Sequence, residues 1–202
     1  MITLIDYGLG NIQAFMNIFK QLNLPCRKAS NAQELADAKK LILPGVGAFD
    51  WAMERLQKSG MRESLDDLVL NQGVPVLGVC VGMQMMARCS EEGEMNGLGW
   101  ISGEVRRFDE TTLLNKTRLP HMGWNDVFPK DHPLFKGMTD PQFYFLHSYY
   151  FSTDSTDGIL AETEYGGRFA SAVNNQMIFG VQFHPEKSHH WGVQLLKNFA
   201  EI

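Results

Sequence analysis

The chain carries a strand–turn–helix signature in the stretch Val76-Leu77-Gly78-Val79-Cys80-Val81-Gly82-Met83-Gln84. An apolar run over residues 75–79 predicts a buried strand, and residues 83–88 predict a helix. Between them lies the G-x-nucleophile-x-G elbow, with Cys80 in the serine position. A sharp turn strains the central residue and leaves room only for glycine two residues before and after it. The pattern favours Cys80 as an exposed nucleophile; the alternative is a structural cysteine at a strand end.

The segments around this elbow alternate between short apolar runs and amphipathic stretches. Strands are predicted at residues 2–6, 26–29, 40–43 and 75–79. Helices are predicted at residues 11–22, 50–57 and 61–71. This order is typical of an α/β fold with a mostly parallel central sheet flanked by helices.

The second half of the chain has a different character. Short strand-like runs are separated by turn signals at residues 104–108, 142–146, 158–161, 169–173 and 177–182, and a helix is predicted at residues 191–202. These runs predict a smaller antiparallel or mixed extension of the sheet. The segment from His121 to Asn125 follows Pro120 and is expected to be a loop. With no linker in sight, residues 1–202 are expected to form a single domain.

Composition excludes several classes of protein. A net charge of −5 over 202 residues gives no basic footprint, so nucleic acid is not an expected partner. No apolar run reaches the roughly 18 residues of a membrane helix, and no signal-peptide pattern is present. The cysteines Cys26, Cys80 and Cys89 have no metal spacing and are expected to be reduced thiols in a cytoplasmic protein.

Three motifs follow predicted strands and are therefore expected to meet at the carboxyl edge of the sheet. They are Asp6-Tyr7-Gly8, Pro44-Gly45-Val46-Gly47 and the Cys80 elbow. Backbone amides of Val46 or Gly47, with that of Val81, would suit an oxyanion hole. The alternatives for the Pro44 motif are a plain βα turn or a phosphate-binding turn, although it lacks the lysine of a P-loop.

A cysteine nucleophile needs a base and a group that orients the base. His184 stands at the end of a predicted strand, before Pro185, and Glu186 is placed to accept its imidazole N–H. A capped strand end is one alternative. A metal site is another, because His189 and His190 lie close in sequence, but the spacing is not that of a zinc site.

The aromatic stretch from Tyr144 to Phe151 is predicted to alternate between two faces, as a sheet core or as a substrate wall. Trp124 is either a core residue or an anchor for a partner protein.

Taken together, the motifs resemble class I (triad) glutamine amidotransferases, and among them the glutaminase subunits of imidazole glycerol phosphate synthases. The motifs, which occur in family order along essentially the whole chain, are Asp6-Tyr7-Gly8-Leu9-Gly10-Asn11, Pro44-Gly45-Val46-Gly47, Gly78-Val79-Cys80-Val81-Gly82-Met83-Gln84, Pro120-His121-Met122-Gly123-Trp124-Asn125, His147-Ser148-Tyr149 and Gly180-Val181-Gln182-Phe183-His184-Pro185-Glu186.

The resemblance implies hydrolysis of L-glutamine to glutamate and ammonia without a metal or cofactor. It implies Cys80 as nucleophile, His184 as acid and base, and Glu186 as the group that orients His184. The residues implied to hold glutamine are Gly45, Gln84, Glu91, His147, Ser148 and Tyr149. Ammonia would pass to a (βα)₈-barrel cyclase that forms imidazole glycerol phosphate in histidine biosynthesis, and the positions implied to face this barrel are Asn11, Trp124, Tyr144 and Lys187.

The chain departs from the family pattern after Glu186, in the bulky ending Lys187-Ser188-His189-His190-Trp191-Gly192. This ending resembles a paralogous branch that is associated with acetamidino-sugar formation for surface polysaccharides. A sugar amidotransferase system is therefore an alternative acceptor of the ammonia. A cysteine-dependent esterase or peptidase, and a non-catalytic redox or scaffold protein, are alternatives from other classes.

Overall fold

The computed structural model describes residues 1–111 and 118–202. The strands are β1 (Ile2–Ile5), β2 (Cys26–Ala29), β3 (Leu41–Gly45), β4 (Val76–Cys80), β5 (Gly103–Arg107), β6 (His121–Asp126), β7 (Phe128–Pro129), β8 (Gln142–His147), β9 (Tyr149–Thr153), β10 (Ile159–Glu164), β11 (Arg168–Asn175) and β12 (Ile178–Val181). The helices are α1 (Ile12–Gln21), α2 (Ala32–Leu35), α3 (Phe49–Lys58), α4 (Arg62–Asp66), α5 (Val81–Gln84) and α6 (His189–Glu201). A π-helical turn (Asp67–Asn71) continues α4, and 3₁₀ turns lie at Pro133–Phe135, Thr156–Gly158 and Pro185–Lys187.

The central sheet begins with five parallel strands in the order β2-β1-β3-β4-β12. Beyond β12 the pairing becomes antiparallel through β11, β10 and β7, and β9 and β5 branch from β11. Strands β6 and β8 form a separate antiparallel pair. The prediction of a mostly parallel sheet with an antiparallel extension is confirmed.

Strand β4 lies in the middle of the parallel strands, and all five of its residues are buried. Gly45 at the end of β3 is level with Cys80, and Val181 at the end of β12 is level with Val79. A strand that is buried on both faces needs the continuous apolar run that Val76, Leu77 and Val79 supply. The register therefore brings the ends of three neighbouring strands together around Cys80.

Helix α1 illustrates how the flanking helices are specified. Its first turn is capped by Asn11, whose side chain accepts a hydrogen bond from Ala14 N at 3.1 Å. Phe15 and Phe19, one turn apart, are buried in the core. The sequence pattern predicted this helix to within one residue at each end.

The segment from His121 to Asn125 is a strand, so the prediction of a loop is wrong. Alternation along β6 places His121 inside and the apolar side chains of Met122 and Trp124 outside, exposed by 64% and 46%. This arrangement inverts the usual apolar-inside pattern, and Gly123 at φ +124° further obscures the strand signal.

Helix α5 begins at Val81, directly after the elbow, and ends at Gln84, earlier than the sequence predicted. After Gln84 the backbone tightens into bonds between residues three apart, from Met86 N to Met83 O and from Ala87 N to Gln84 O, each 3.0 Å. Within residues 1–111 and 118–202, no helix is long and apolar enough to cross a membrane.

Candidate active site

The elbow at Cys80 has the strained backbone that its sequence predicts. Cys80 has φ 55° and ψ −115°, outside the conformations that side-chain-bearing residues usually adopt. A Cβ atom on Gly78 would lie 2.8 Å from the Gly82 carbonyl, and one on Gly82 would lie 1.9 Å from the Leu43 carbonyl. Only glycine at both positions therefore allows α5 to start so close to β3 and β4.

The Cys80 side chain is 4% exposed, so it does not stand on the protein surface as the elbow pattern predicted. Its sulfur lies 3.9 Å from the Leu146 carbonyl and 3.8 Å from Nε2 of Gln182. The strand pair β6–β8 contributes Leu146, and this segment covers the sulfur. Cys80 lines a cavity instead.

His184 and Glu186 are joined by a 2.8 Å hydrogen bond between Nδ1 and Oε1, and their side chains are only 3% and 4% exposed. Burial by itself lowers the pKa of His184, but hydrogen bonds to Cys80 and Glu186 outweigh it and raise the pKa to about 9. The structure thus brings together the three side chains of the predicted triad. The second carboxylate oxygen, Oε2 of Glu186, is buried and has no hydrogen-bond partner among the described residues.

Ser188 fixes the backbone of this triad, and the sequence analysis did not identify it. Its hydroxyl donates to the His184 carbonyl at 2.6 Å and accepts from Tyr144 N at 3.0 Å. His184 N in turn donates to the Tyr144 carbonyl at 2.9 Å. These hydrogen bonds connect the backbone of His184 to β8. In the sequence, the one indication of this connection is the serine two residues after the triad glutamate.

A cavity of about 280 Å³ lies in front of the triad. It is lined by ten of the predicted site residues, which are Val46, Gly47, Cys80, Val81, Gln84, His147, Ser148, Tyr149, His184 and Lys187, and by three others, Glu92, Pro120 and Leu146. A larger hollow of about 600 Å³ between residues 129 and 138 contains no triad residue. Chemistry rather than volume therefore locates the candidate site.

The Pro44–Gly47 motif lies beside this cavity, as expected. The buried Tyr7 hydroxyl donates to the Pro44 carbonyl at 2.7 Å, so the first and second strand-end motifs do meet. Burial and the neighbouring Cys80 raise the pKa of Tyr7 well above its ordinary value, which keeps the hydroxyl a donor. A Cβ atom on Gly45 would lie 2.2 Å from Gly82 N, so glycine at this position lets β3 pack closely against the start of α5, although Gly45 itself does not line the cavity. Gly47 has φ +86°.

Two neighbouring glutamates have different surroundings. Glu91 is exposed, does not line the cavity, and accepts a hydrogen bond from Arg107 N at 2.7 Å. Glu92 lines the cavity and accepts from Phe49 N at 2.9 Å at the start of α3. Burial raises the pKa of Glu92 more than that hydrogen bond lowers it, and Asp50 adds to the rise. The structure thus brings Glu92, not Glu91, to the predicted glutamine-binding residues.

His147 lines the cavity, but both nitrogen atoms of its ring are engaged inside the protein. Nε2 lies 2.9 Å from Nδ1 of His121, and Nδ1 lies 2.7 Å from the Tyr149 carbonyl. Gln84 is also engaged, because its Nε2 donates to the Tyr149 carbonyl at 3.1 Å and to Oε1 of Gln182 at 3.0 Å. The sequence analysis missed the roles of His121 and Gln182.

Three of the four predicted partner-facing residues lie together on one surface. The ring of Trp124 stacks on His189 at 5.1 Å and meets Tyr144 edge-on at 6.4 Å, and Lys187 Nζ lies 5.8 Å from the centre of the Tyr144 ring. Asn11 is the exposed cap of α1. Among the residues that the structure describes, no three histidine, cysteine or acidic side chains are arranged to hold a metal ion, including those around His189 and His190.

Comparison with known proteins agrees with this geometry. The glutamine amidotransferase class-I family matches residues 3–202. The imidazole glycerol phosphate synthase subunit HisH of Bdellovibrio bacteriovorus is 57% identical over the whole of both chains, and that of Leptospira interrogans is 48% identical over the whole of both chains. A crystal structure of a glutamine amidotransferase, 19% identical, superposes with a TM-score of 0.77 over 99% of this chain and 97% of its own, which shows the shared fold.

The chain therefore belongs to the class-I glutamine amidotransferase family. Its full-length identity to the two HisH proteins places it, within that family, among the imidazole glycerol phosphate synthase HisH subunits.

Proposed function

We propose that this chain is the glutaminase subunit of an imidazole glycerol phosphate synthase, and that Cys80, His184 and Glu186 hydrolyse L-glutamine. The observation that carries the proposal is the buried His184–Glu186 pair, 2.8 Å apart, beside a cysteine on a strained strand–helix elbow. This is the arrangement that nucleophilic catalysis of acyl transfer needs, with the base in reach of the nucleophile and oriented by a third group.

The reaction runs through a thioester. The Cys80 sulfur attacks the side-chain amide carbon of glutamine, and His184 takes up the thiol proton. The same ring donates this proton to the departing nitrogen, so that the C–N bond breaks and ammonia leaves. His184 then removes a proton from water, and the hydroxide attacks the thioester. The C–S bond breaks to release glutamate, and the proton on His184 returns to the Cys80 sulfur. A pKa of His184 near 9 suits the acid half of this cycle, because the ring then keeps the proton that it takes from the thiol until the nitrogen departs.

Both tetrahedral intermediates carry an oxyanion that needs N–H donors. The amide of Val81, directly after the nucleophile, is one donor in this proposal, and that of Val46 or Gly47 is the other. The Val46–Gly47 turn follows β3, which lies beside Cys80, and Val46 is 38% exposed. A peptide on an exposed turn with a glycine at φ +86° can reorient more easily than one within a strand. This turn is therefore the proposed gate of the reaction.

Glutamine is held in the cavity by its α-amino and α-carboxylate groups. Glu92 is the acidic side chain that lines the cavity, and we assign to it the contact with the substrate's ammonium group in place of Glu91. Ser148, Tyr149 and Gln84 also line the cavity and supply further polar groups for the substrate, and Gly45 lies level with Cys80 on the neighbouring strand. His147 supports these residues and does not itself contact the substrate.

Ammonia passes to a (βα)₈-barrel cyclase, which forms imidazole glycerol phosphate in histidine biosynthesis. The proposed contact surface consists of Trp124, Tyr144 and Lys187, with Asn11 at its edge. An exposed Trp beside Met122 and Leu146, which are 64% and 39% exposed, has the composition of an interface centre. We expect the chain to act as a single domain in the cytoplasm, with its three cysteines reduced and without a metal or cofactor.

The two relatives described above carry the name of imidazole glycerol phosphate synthase. The alternative acceptor, an acetamido sugar of surface polysaccharides, has no support from them. It remains distinguishable by experiment, because the glutaminase chemistry is the same and only the partner differs.

The test measures glutamate release from L-glutamine by the chain and by Cys80→Ala, each alone and with an imidazole glycerol phosphate synthase cyclase and its ribotide. We expect stimulation by the cyclase and a fall of about 10⁴-fold or more in Cys80→Ala. Activity that depends on Cys80 but is not stimulated would point to the sugar pathway. Faster turnover of p-nitrophenyl esters than of glutamine would indicate an esterase, and an unchanged Cys80→Ala would indicate a non-catalytic protein.

A further inference from the structure

Two histidines lie side by side beneath the β6–β8 pair, and the triad chemistry uses neither of them. His121 and His147 face each other in register across the two strands and are 3% and 7% exposed. Nδ1 of His121 is 2.9 Å from Nε2 of His147. The rings of Phe145 and Tyr165 stack on the His121 ring at 4.6 and 3.9 Å, so the pair is enclosed by aromatic surface.

Asn125 fixes the position of the proton at the outer end of this pair. Its Oδ1 accepts from Asp126 N at 2.8 Å, and its Nδ2 donates to the Glu164 carbonyl at 3.0 Å. Because a backbone N–H only donates and a carbonyl only accepts, the orientation of the amide is determined. Nδ2 also lies 3.2 Å from Nε2 of His121, which must therefore accept. The proton of His121 is on Nδ1, and it is donated to Nε2 of His147.

At the inner end of the pair, the same assignment of donors and acceptors leads from His147 to the nucleophile. His147, whose Nε2 accepts, carries its proton on Nδ1 and donates it to the Tyr149 carbonyl at 2.7 Å. That carbonyl also accepts from Nε2 of Gln84, which donates in addition to Oε1 of Gln182 at 3.0 Å. The Gln182 amide is thereby oriented with its N–H₂ group toward the Cys80 sulfur, 3.8 Å away.

We propose that these groups form one hydrogen-bond relay that holds the Cys80 sulfur in place and favours its thiolate. The relay consists of the side chains of Asn125, His121, His147, Gln84 and Gln182. Gln182 contacts the reacting sulfur, and the two histidines are positioning residues that act through the Tyr149 carbonyl. The proposal rests on the proposed function only in taking Cys80 as the nucleophile.

The relay requires both histidines to be neutral. A second proton on His121 would set an N–H against the Asn125 N–H₂ group, and one on His147 would set an N–H against that of His121. Burial lowers the pKa of His121 to about 4. Burial, together with the neighbouring His121 and His184 and against the opposing hydrogen bond to the Tyr149 carbonyl, lowers the pKa of His147 to about 3. The same arrangement of donors and acceptors therefore persists at neutral pH.

The relay also connects the nucleophile to the proposed partner surface. Asn125 is adjacent to Trp124 on β6, and the two side chains point to opposite faces of the strand. A shift of β6 against β8 changes the distance between His121 and His147. The Tyr149 carbonyl and Gln84 then transmit this change to Gln182. This is a physical connection between Trp124 and Cys80 that does not involve the Val46–Gly47 turn.

The reactivity of Cys80 toward iodoacetamide, measured against pH, tests the relay without glutamine or a partner. The measurement uses protein with Cys26→Ser and Cys89→Ser, so that Cys80 is the thiol that reacts. Gln182→Met keeps the length of the side chain but removes the donor, and we expect alkylation about 10-fold slower at neutral pH with a pH profile shifted upward by about one unit. His121 reaches the sulfur only through the other members of the relay, so His121→Phe is expected to slow alkylation less, by about 3-fold. The control His132→Asn, outside the relay, should leave the profile unchanged.

The tautomers of the wild-type histidines provide the second measurement, which needs no substitution. Nitrogen NMR of the intact chain should show both His121 and His147 protonated on Nδ1 between about pH 5 and 8. An Nε2 proton on His121, or an unchanged alkylation profile in folded Gln182→Met, overturns the relay. Should Gln182→Met not fold, the tautomers decide. Shifted alkylation in a chain that releases no glutamate would instead reject the glutaminase function and keep the relay.

Discussion

Nδ1 of His184 lies 2.8 Å from Oε1 of Glu186, with a single proline between the two residues. β12 has already ended at Val181, and the proline starts a 3₁₀ turn that brings the second residue after the histidine back toward its ring. Both side chains are almost fully buried, and the Cys80 side chain is a further hydrogen-bond partner of the ring. A three-residue segment thus supplies the base and the group that orients it.

Replacing the orienting carboxylate should reduce turnover without unfolding the chain. In Glu186→Gln the amide has nearly the same shape, but its charge is lost and its N–H₂ group can face Nδ1, which favours the wrong tautomer of His184. We expect kcat for glutamine to fall about 10²- to 10⁴-fold with a small change in KM. Steady-state glutamate release measures both. Exposed Glu94→Gln is the control, and full activity in Glu186→Gln would contradict the assignment.

Substitution of the two adjacent glutamates should have different effects on KM for glutamine. Glu92→Gln retains an acceptor for Phe49 N but loses the charge that faces the cavity. We expect KM for glutamine to rise about 10- to 100-fold, the loss that follows when a hydrogen bond to a charged group is removed. Glu91→Gln, whose carboxylate faces Arg107 N outside the cavity, should have the KM of the wild type. The reverse result would restore Glu91 as the substrate ligand.

The features that the sequence predicts well are those fixed by local chemistry. The Gly78–Gly82 spacing anticipates the strain at Cys80, since no larger residue fits beneath Leu43 and beside α5. His184-Pro185-Glu186 anticipates the contact between the histidine and the glutamate because the proline starts the 3₁₀ turn between them, although β12 ends earlier than predicted, at Val181. The apolar run of β4 anticipates its place among the parallel strands, since only a strand that is buried on both faces needs such a run.

The features that it does not predict depend on pairing across the fold. The sequence predicts a loop at β6 because the apolar residues of this strand face outward and its histidine faces inward. The register that opposes His121 to His147 exists only once β8 is placed. Glu92 and Glu91 differ only in which way a turn directs them, and no local pattern separates two identical neighbours. Ser188 acts on a backbone group of β8, 44 residues away along the chain.

The buried histidine pair should make the fold sensitive to mild acid. Both pKa values are depressed from the ordinary 6.5, so the unfolded chain binds more protons than the folded chain below that pH. Stability is therefore present above about pH 6.5 and is lost as pH falls toward about 4, with a slope of up to about 1.4 kcal/mol per pH unit for each histidine. Other titratable groups facing the pair are His184 and Tyr165.

Urea unfolding between about pH 4.5 and 7 measures this slope above the range in which most aspartates titrate. Glu92 has a raised pKa and opposes the trend, so Glu92→Gln should steepen it. Above about pH 6.5 His184 acts in the other direction, because its raised pKa contributes stability that is lost as pH rises toward 9. A free energy of unfolding that stays constant from pH 7 to 4.5 would refute neutral burial of the pair.

The exposed Trp124 should be a main contributor to binding of the cyclase. Its ring is held by the stack on His189, so little side-chain entropy remains to be lost on binding. Trp124→Ala is expected to weaken the complex by about 2 kcal/mol or more, roughly 30-fold in Kd, with an unchanged midpoint of thermal unfolding. Calorimetric titration of the cyclase measures this. Leu70, which is 54% exposed on the π-helical turn, provides the matched control Leu70→Ala. Equal affinities of the two variants would place the interface elsewhere.

Gly82 should tolerate no side chain, for a reason different from backbone strain. A Cβ atom there would lie 1.9 Å from the Leu43 carbonyl, and β3 is held in register on both sides and cannot move away. Gly82→Ala is therefore expected to lower the free energy of unfolding by about 3 kcal/mol or more and to abolish the elbow. Gly60 has φ +70° but open space around it, so Gly60→Ala should cost only about 1 kcal/mol, the penalty of the left-handed backbone. Equal losses in urea unfolding of the two variants would show that α5 can shift away from β3, and the close approach would then not be what requires glycine at this position.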